Sequence, residues 1–182
     1  MLVSVVLVSV DYSAPAAARA MLSRLAVGQA IVFRGLPSSS TALAMHARHA
    51  RPEDAMHIAR IYNQGIADRT ATFETRPRTA SDIHAWFDGA HPLLVVEEEG
   101  AVVAFAATFP YRPRACYAGI AEASVYVDRA FHRHGAGRMA LESLIAAAAA
   151  AGFWKLVSRI FVENTHQPPD GRRARFSRGG DL

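Results

Sequence analysis

The stretch VYVDRAFHRHGAGR, from Val125 to Arg138, carries the strongest indication of the fold in this sequence. It begins as an alternating apolar strand and ends in a basic loop that contains Gly135 and Gly137. The run that follows, GRMALESLIAAAAAAG, consists of strong helix formers and stops at Gly152. A strand that enters a helix through such a loop presents free backbone N–H groups at the positive end of the helix dipole, and glycine lets a bulky anion approach them. A pyrophosphate is the natural ligand of such a turn, but the spacing alone does not distinguish it from an ordinary tight turn.

Two common phosphate motifs do not fit this loop. No Gly-Lys-Ser/Thr follows it, which excludes a Walker loop. The third glycine of a dinucleotide-binding fingerprint is missing, and the preceding strands are predicted to form a hairpin rather than a βαβ unit.

Composition narrows the class of protein. The chain has 182 residues, a net charge of +4 and 51% hydrophobic residues, which suits one domain with one core. Its Lys and Arg form no basic stripe with interleaved aromatics, so an anionic small molecule is favoured over nucleic acid. The single cysteine, Cys116, fits a reducing, cytoplasmic compartment. No metal is expected, because the eight His lack partners at ligand spacing, and the ten-residue MLVSVVLVSV is too short for a membrane span.

Three regions are predicted along the chain. Residues 1–44 form a leader that is disordered or lies upstream of a functional start at Met45, with a signal peptide as the alternative. Residues 45–165 show the order (β)ααββ–β–α–β, a mixed α/β sheet domain. Residues 166–182, HQPPDGRRARFSRGGDL, have no apolar period and form a basic tail.

Several separate motifs resemble one known superfamily. The strand SVYVD, the loop ending in GAG, the Ala/Leu helix, the strand KLVSRIFV and the following ENT resemble the acetyl-CoA core of the GNAT superfamily. IYNQGIADRTATFET, PYRPRACYAG and AEASVYVD resemble its phosphinothricin acetyltransferase branch, and the similarity runs from about Met45 to Thr165. The loop departs from the family pattern at His132, where Gln or Arg is usual.

The resemblance implies a fold, a reaction and a set of site residues. The fold is that of the GNAT acyl-CoA N-acyltransferases, and the reaction transfers acetyl from acetyl-CoA, without a metal, to the α-amine of a small acidic amino-acid analogue. Glu122 matches the general base, and Asn164 would bond the cofactor near its pantetheine. The pantetheine arm and thioester would lie along Val125, Tyr126 and Val127, and the pyrophosphate would be held by Arg133, His134, Gly135, Ala136, Gly137 and Arg138.

The amine pocket follows partly from the resemblance and partly from charge. Phe73, Arg114 and Tyr117 match positions that line it, and Arg112 with Arg114 would supply cations for an acidic substrate. Simpler interpretations remain open for several of these residues. Glu122 could be a solvent-facing strand residue, the two arginines a solvated loop, Tyr117 a core residue and Asn164 a turn residue.

The chain departs from the family after ENT, where a helix and the last strands are expected. Their absence predicts an exposed edge on the last strand and an impaired enzyme. The alternatives are a non-catalytic acyl-CoA-binding remnant and, from the basic tail, a nucleic-acid-associated protein. A homodimer is common among similar proteins.

Overall fold

The computed structural model describes residues 3–9, 45–69, 71–161 and 176–178. In these ranges the chain forms seven β-strands and three α-helices. The strands are β1 (Val3–Ser9), β2 (His46–His49), β3 (Leu93–Glu98), β4 (Ala101–Pro110), β5 (Ile120–Val127), β6 (Lys155–Phe161) and β7 (Phe176–Arg178). The helices are α1 (Ala55–Asp68), α2 (Ala80–His84) and α3 (Ala136–Ala150). None of the helices in these ranges has the length and apolar character needed to cross a bilayer.

All seven strands belong to one sheet, in the order β2-β3-β4-β5-β6-β1-β7. Neighbouring strands are antiparallel except β5 and β6, which are parallel and are joined by α3. A parallel pair requires a crossover of this kind, because a short turn cannot return the chain to the same end of the sheet. The mixed α/β fold predicted from the element order is confirmed.

A hydrophobic layer covers each face of the sheet. On one face, α3 buries Ala140 and Leu144 against small sheet residues such as Ala106 and Ala121. Alanine on both sides lets the helix lie close to the sheet, which explains the Ala-rich run. On the other face, Ile58, Ile61 and Tyr62 of α1 pack in one cluster with Phe105 of β4 and Tyr126 of β5.

A capping box forms the start of α2. The Asp82 N–H donates to Thr79 Oγ1 at 3.2 Å, and the Thr79 N–H donates to Asp82 Oδ2 at 2.7 Å. Local side-chain chemistry therefore sets where α2 begins.

The edge of β6 that the sequence analysis expects to be exposed is covered. β1 pairs antiparallel with β6 along its whole length, from Val3↔Phe161 to Ser9↔Lys155, and β7 pairs with the outer side of β1. Residues 3–9, which the sequence analysis assigns to a leader, thus form part of the sheet, as their Val-rich composition permits. The predictions for residues 10–44, for Asn164 and for most of the tail lie outside the described residues.

Candidate active site

The parallel strands β5 and β6 diverge after the third residue of β5. Their pairing covers Ile120↔Lys155, Ala121↔Leu156 and Glu122↔Val157. Beyond this point β5 continues to Val127 paired with β4, while β6 continues to Phe161 paired with β1. In the part of the chain that the structure describes, the edge of residues 123–127 that faces β6 has no strand partner. We call this opening the β5–β6 gap.

The hydrogen-bond alternation of β5 shows which backbone groups face the gap. The Asp128 N–H donates to the Val103 carbonyl of β4 at 2.8 Å. Because antiparallel residues alternate between bonding a neighbour and pointing away from it, Tyr126 bonds β4, whereas Val125 and Val127 point toward the gap. The Val127 carbonyl accepts a hydrogen bond from His132 Nε2 at 3.1 Å. Of the three predicted β5 residues, Val125 and Val127 therefore offer their N–H groups to a ligand in the gap, and Tyr126 does not.

The Tyr126 side chain supports the strand from the α1 face. Its ring stacks on Phe105 with centroids 5.2 Å apart and packs against Tyr62 at 4.9 Å. Burial raises the pKa of its phenol, whose hydroxyl donates to the Ala71 carbonyl at 3.3 Å. A Cβ on Gly65 would lie 2.8 Å from the Tyr126 ring, so glycine in α1 is what makes room for it. The role of Gly65 is not evident from the sequence, since the contact joins distant parts of the chain.

The glycine loop leads into α3 beside the end of β5. Gly135 caps the helix with φ 89°, a left-handed conformation that glycine adopts without strain. The first helical bond runs from the Met139 N–H to the Gly135 carbonyl at 3.0 Å, so the amides of residues 136–138 precede the helical ladder and have no intrahelical acceptor. A Cβ on Gly137 would lie 3.0 Å from Val127 Cγ2, so glycine here allows the helix N-terminus to approach the gap.

The basic residues of this loop, at positions 133, 134 and 138, differ in their conformation and in their contacts. Arg133 adopts φ 67°, which turns the chain ahead of Gly135. The His134 ring packs edge-on against Phe131 at 6.3 Å. Arg138 Nε donates to Glu142 Oε1 at 2.7 Å on the exposed side of α3, so part of its charge is already neutralised. The backbone amides are therefore the better-placed anion ligands of the loop.

A buried carboxylate, Asp128, anchors the start of the loop. It accepts hydrogen bonds from the Ala130 N–H at 3.0 Å and from Arg60 and Gln64 of α1. Burial alone would raise the pKa of Asp128, but the Ala130 amide and the Arg60 guanidinium hold it below its usual value. In the sequence Asp128 is only the end of VYVD, and the one sign of its anchoring role is that a polar residue directly follows an apolar strand.

Glu122 stands at the mouth of the gap, on the α1 face of the sheet. It is the last β5 residue that pairs with β6, and its side chain is 22% exposed. Arg159 of β6 donates through Nε to Glu122 Oε1 at 2.9 Å and through Nη2 to Oε2. These hydrogen bonds raise the pKa of Arg159. Glu122 is thus held in a two-pronged ion pair rather than projecting freely into solvent, and Arg159 is a site residue that the sequence analysis does not identify.

The loop of residues 111–117, which we call the YRPRACY loop, lies beside this ion pair. The Arg112 guanidinium lies over the rings of Tyr111 and Tyr117, 5.3 and 6.0 Å from their centroids. The loop follows directly on Pro110, and the pairing of Phe109 with Glu122 and of Pro110 with Ala121 places its start next to Glu122. Arg114 opens a short 3-10 turn in which its carbonyl accepts from the Tyr117 N–H at 2.9 Å. Tyr117 therefore belongs to the loop rather than to the core.

Phe73 is 63% exposed, in the segment after α1. This segment passes over Tyr126, whose hydroxyl bonds Ala71, and so reaches the same face of the sheet as Glu122. In the described ranges no three His, Cys, Asp or Glu residues are grouped as metal ligands would be.

The sequence and the structure of this chain are both similar to those of known proteins. The sequence matches the acetyltransferase (GNAT) family over residues 58–169. It is 31% identical to an L-methionine sulfoximine/L-methionine sulfone acetyltransferase of Pseudomonas aeruginosa, over 74% of this chain and 81% of that protein. An N-acetyltransferase structure from Staphylococcus aureus Mu50 superposes with a TM-score of 0.63 at 34% identity, covering 66% of this chain and 76% of the other. A GNAT superfamily phosphinothricin acetyltransferase from Sinorhizobium meliloti, solved in complex with acetyl-CoA, gives 0.60 at 27% identity, covering 64% and 65%.

Proposed function

Because this chain belongs to the GNAT acetyltransferase family, we propose that it acetylates the α-amine of a small acidic amino-acid analogue of the phosphinothricin or methionine sulfoximine kind. Family membership makes it an acetyltransferase that uses acetyl-CoA. The names of similar proteins support the substrate class, since they include phosphinothricin and methionine sulfoximine acetyltransferases. The residue roles that follow are part of the proposal.

The observation that carries the proposal is the β5–β6 gap together with the N-terminus of α3. The pantetheine arm of acetyl-CoA would lie in the gap, where the amides of Val125 and Val127 point. Its pyrophosphate would bind the amides of residues 136–138, with Gly135 and Gly137 giving access and Arg133 and Arg138 adding charge. The gap and the amides are adjacent, because Gly137 lies against Val127.

The chemistry assigns a role to Glu122. An α-amine is protonated near neutral pH and attacks only after it loses a proton, which Glu122 would accept directly or through a water. The amine nitrogen then bonds to the thioester carbonyl carbon, and strand N–H groups stabilise the oxyanion. When the oxyanion collapses, the C–S bond breaks and the thiolate leaves. The attacking nitrogen gives up its second proton, one proton is taken up by the thiolate, and the products are the acetylated amine and free coenzyme A.

The acidic part of the substrate would bind at the YRPRACY loop. Arg112 and Arg114 supply positive charge there, and Tyr117 and Phe73 supply aromatic surface on the same face of the sheet. Arginine suits carboxylate and phosphinate groups because its planar donors match two oxygens at once.

Gly137→Leu is expected to raise the KM for acetyl-CoA by at least about tenfold, equivalent to ~1.4 kcal/mol of binding. The new Cβ would press on Val127, and the side chain would cover the amides at the start of α3. Steady-state thiol release at varied acetyl-CoA measures the effect. Ala150→Leu, at the exposed far end of the same helix, is the matched control and should leave this KM unchanged. Equal KM values for both variants would contradict binding at residues 136–138.

A thiol-release assay with acetyl-CoA and a panel of amines tests the function itself. The panel is phosphinothricin, methionine sulfoximine, methionine sulfone, glutamate and methionine. We expect the highest kcat/KM for the panel members whose side chain carries an acidic group or a tetrahedral phosphorus or sulfur group. If acetyl-CoA binds but none of the amines in the panel causes thiol release, the non-catalytic acyl-CoA-binding alternative is favoured.

A further inference from the structure

The geometry points to Arg159 as the residue that binds the α-carboxylate of the amine substrate, beside the Glu122 that accepts its proton. The ion pair would then be a receptor for a free amino-acid zwitterion, which makes Arg159 a determinant of specificity. This inference rests on the proposed acetyltransferase function and names the part of the substrate that the enzyme requires.

The pair stands where the two strands separate. Glu122 is opposite Val157, the last parallel partner, and Arg159 lies two residues further along β6, on the same face as Val157. The Arg159 side chain is 56% exposed and that of Glu122 is 22% exposed, so the cation faces incoming molecules while the carboxylate sits deeper. A ligand at the mouth of the gap therefore meets both charges.

Neither partner is saturated by the other. Arg159 uses Nε and Nη2 on Glu122, and among the described residues no other acceptor bonds its guanidinium. Its end-on fork, formed by one Nη1 hydrogen and the second Nη2 hydrogen, remains available to a carboxylate. The Glu122 carboxylate has about four lone-pair sites, of which Arg159 occupies two.

An α-amino acid carries its ammonium and carboxylate on one carbon, so its two charges lie as close together as those of this pair. Its ammonium can donate to Glu122 while its carboxylate accepts from Arg159, and the protein ion pair need not break. Arg112, held over Tyr111 and Tyr117, would then be left for the anionic or tetrahedral side chain. Arg159 thus binds the α-carboxylate of the substrate, and Arg112 binds its side chain.

The test compares each amino acid with its α-carboxamide, which keeps the amine and removes the negative charge. We expect the wild-type protein to prefer the acid, and Arg159→Gln to reduce that preference by roughly 10- to 100-fold, mainly through the KM of the acid. The kcat/KM for the amide should change far less. Arg159→Lys should restore part of the preference, and Arg51→Gln, which removes an exposed charge ahead of α1, should leave it unchanged.

An unchanged acid-to-amide ratio in Arg159→Gln, with both substrates slowed equally, would overturn the inference and leave Arg159 only the task of orienting Glu122. Ligand-induced shifts in melting temperature give the same comparison without turnover. The acid should raise the melting temperature of the wild type and of Arg159→Lys but not that of Arg159→Gln. Absence of thiol release in the wild type would instead count against the proposed function, so the two failures are distinguishable.

Discussion

Glu122→Gln is expected to lower kcat by about 10²- to 10⁴-fold, the usual contribution of a general base, while acetyl-CoA binds with unchanged affinity. Glutamine has nearly the same shape but cannot take a proton from the substrate amine. The proposed acetyl-CoA contacts, at Val125, Val127 and the start of α3, do not involve this side chain. Thiol release measures the rate, and calorimetric titration with acetyl-CoA measures the binding.

Glu99→Gln is the matched control, because it removes an exposed carboxylate in the turn between β3 and β4 without touching the gap. It should retain the wild-type rate. If Glu122→Gln kept a rate within about threefold of wild type, the proton would have to leave by another route. Glu122 would then serve only as the partner that positions Arg159.

The parts of the fold that could be predicted are those with local causes. The capping box of Thr79 and Asp82 spans three residues, and the Ala-rich helix follows directly from its composition. The strand partner of residues 3–9 could not be predicted, because its contacts are with residues 155–161 at the other end of the chain. A Val-rich run indicates a strand but does not say which edge the strand will join.

The same division holds for the site. The glycine loop is visible in the sequence because Gly135, Gly137 and the start of α3 are consecutive. The pairing of Glu122 with Arg159 joins residues 37 positions apart, and nothing in the strand KLVSRIFV alone distinguishes Arg159 from a solvated arginine. The parallel register of β5 and β6 is what places the two residues together.

Val6→Pro is expected to destabilise the protein by about 3 kcal/mol, the upper end of the usual range for a point mutation, because proline removes a ladder hydrogen bond and fixes φ in a strand that is paired on both sides. Val6 lies opposite Ser158 of β6 and Arg178 of β7. For a chain of this size, that loss corresponds to a fall in melting temperature of roughly 6–12 °C. A thermal melt followed by circular dichroism measures it.

The Val6→Pro substitution should also affect the candidate active site. β1 is the strand partner of β6 beyond the point where β6 separates from β5, and Val5 lies opposite Arg159. Hydrogen exchange at residues 158–161 should therefore accelerate in Val6→Pro, while exchange in α1 changes less. Val3→Pro is the matched control, since proline is tolerated at the first residue of a strand. Equal, small shifts for both variants would show that β1 contributes little to the folded sheet. A large fall in melting temperature for Val6→Pro alone would mean that residues 3–9 stabilise β6, the strand that carries Arg159. The position of the Glu122–Arg159 pair would then depend on a strand from the opposite end of the sequence.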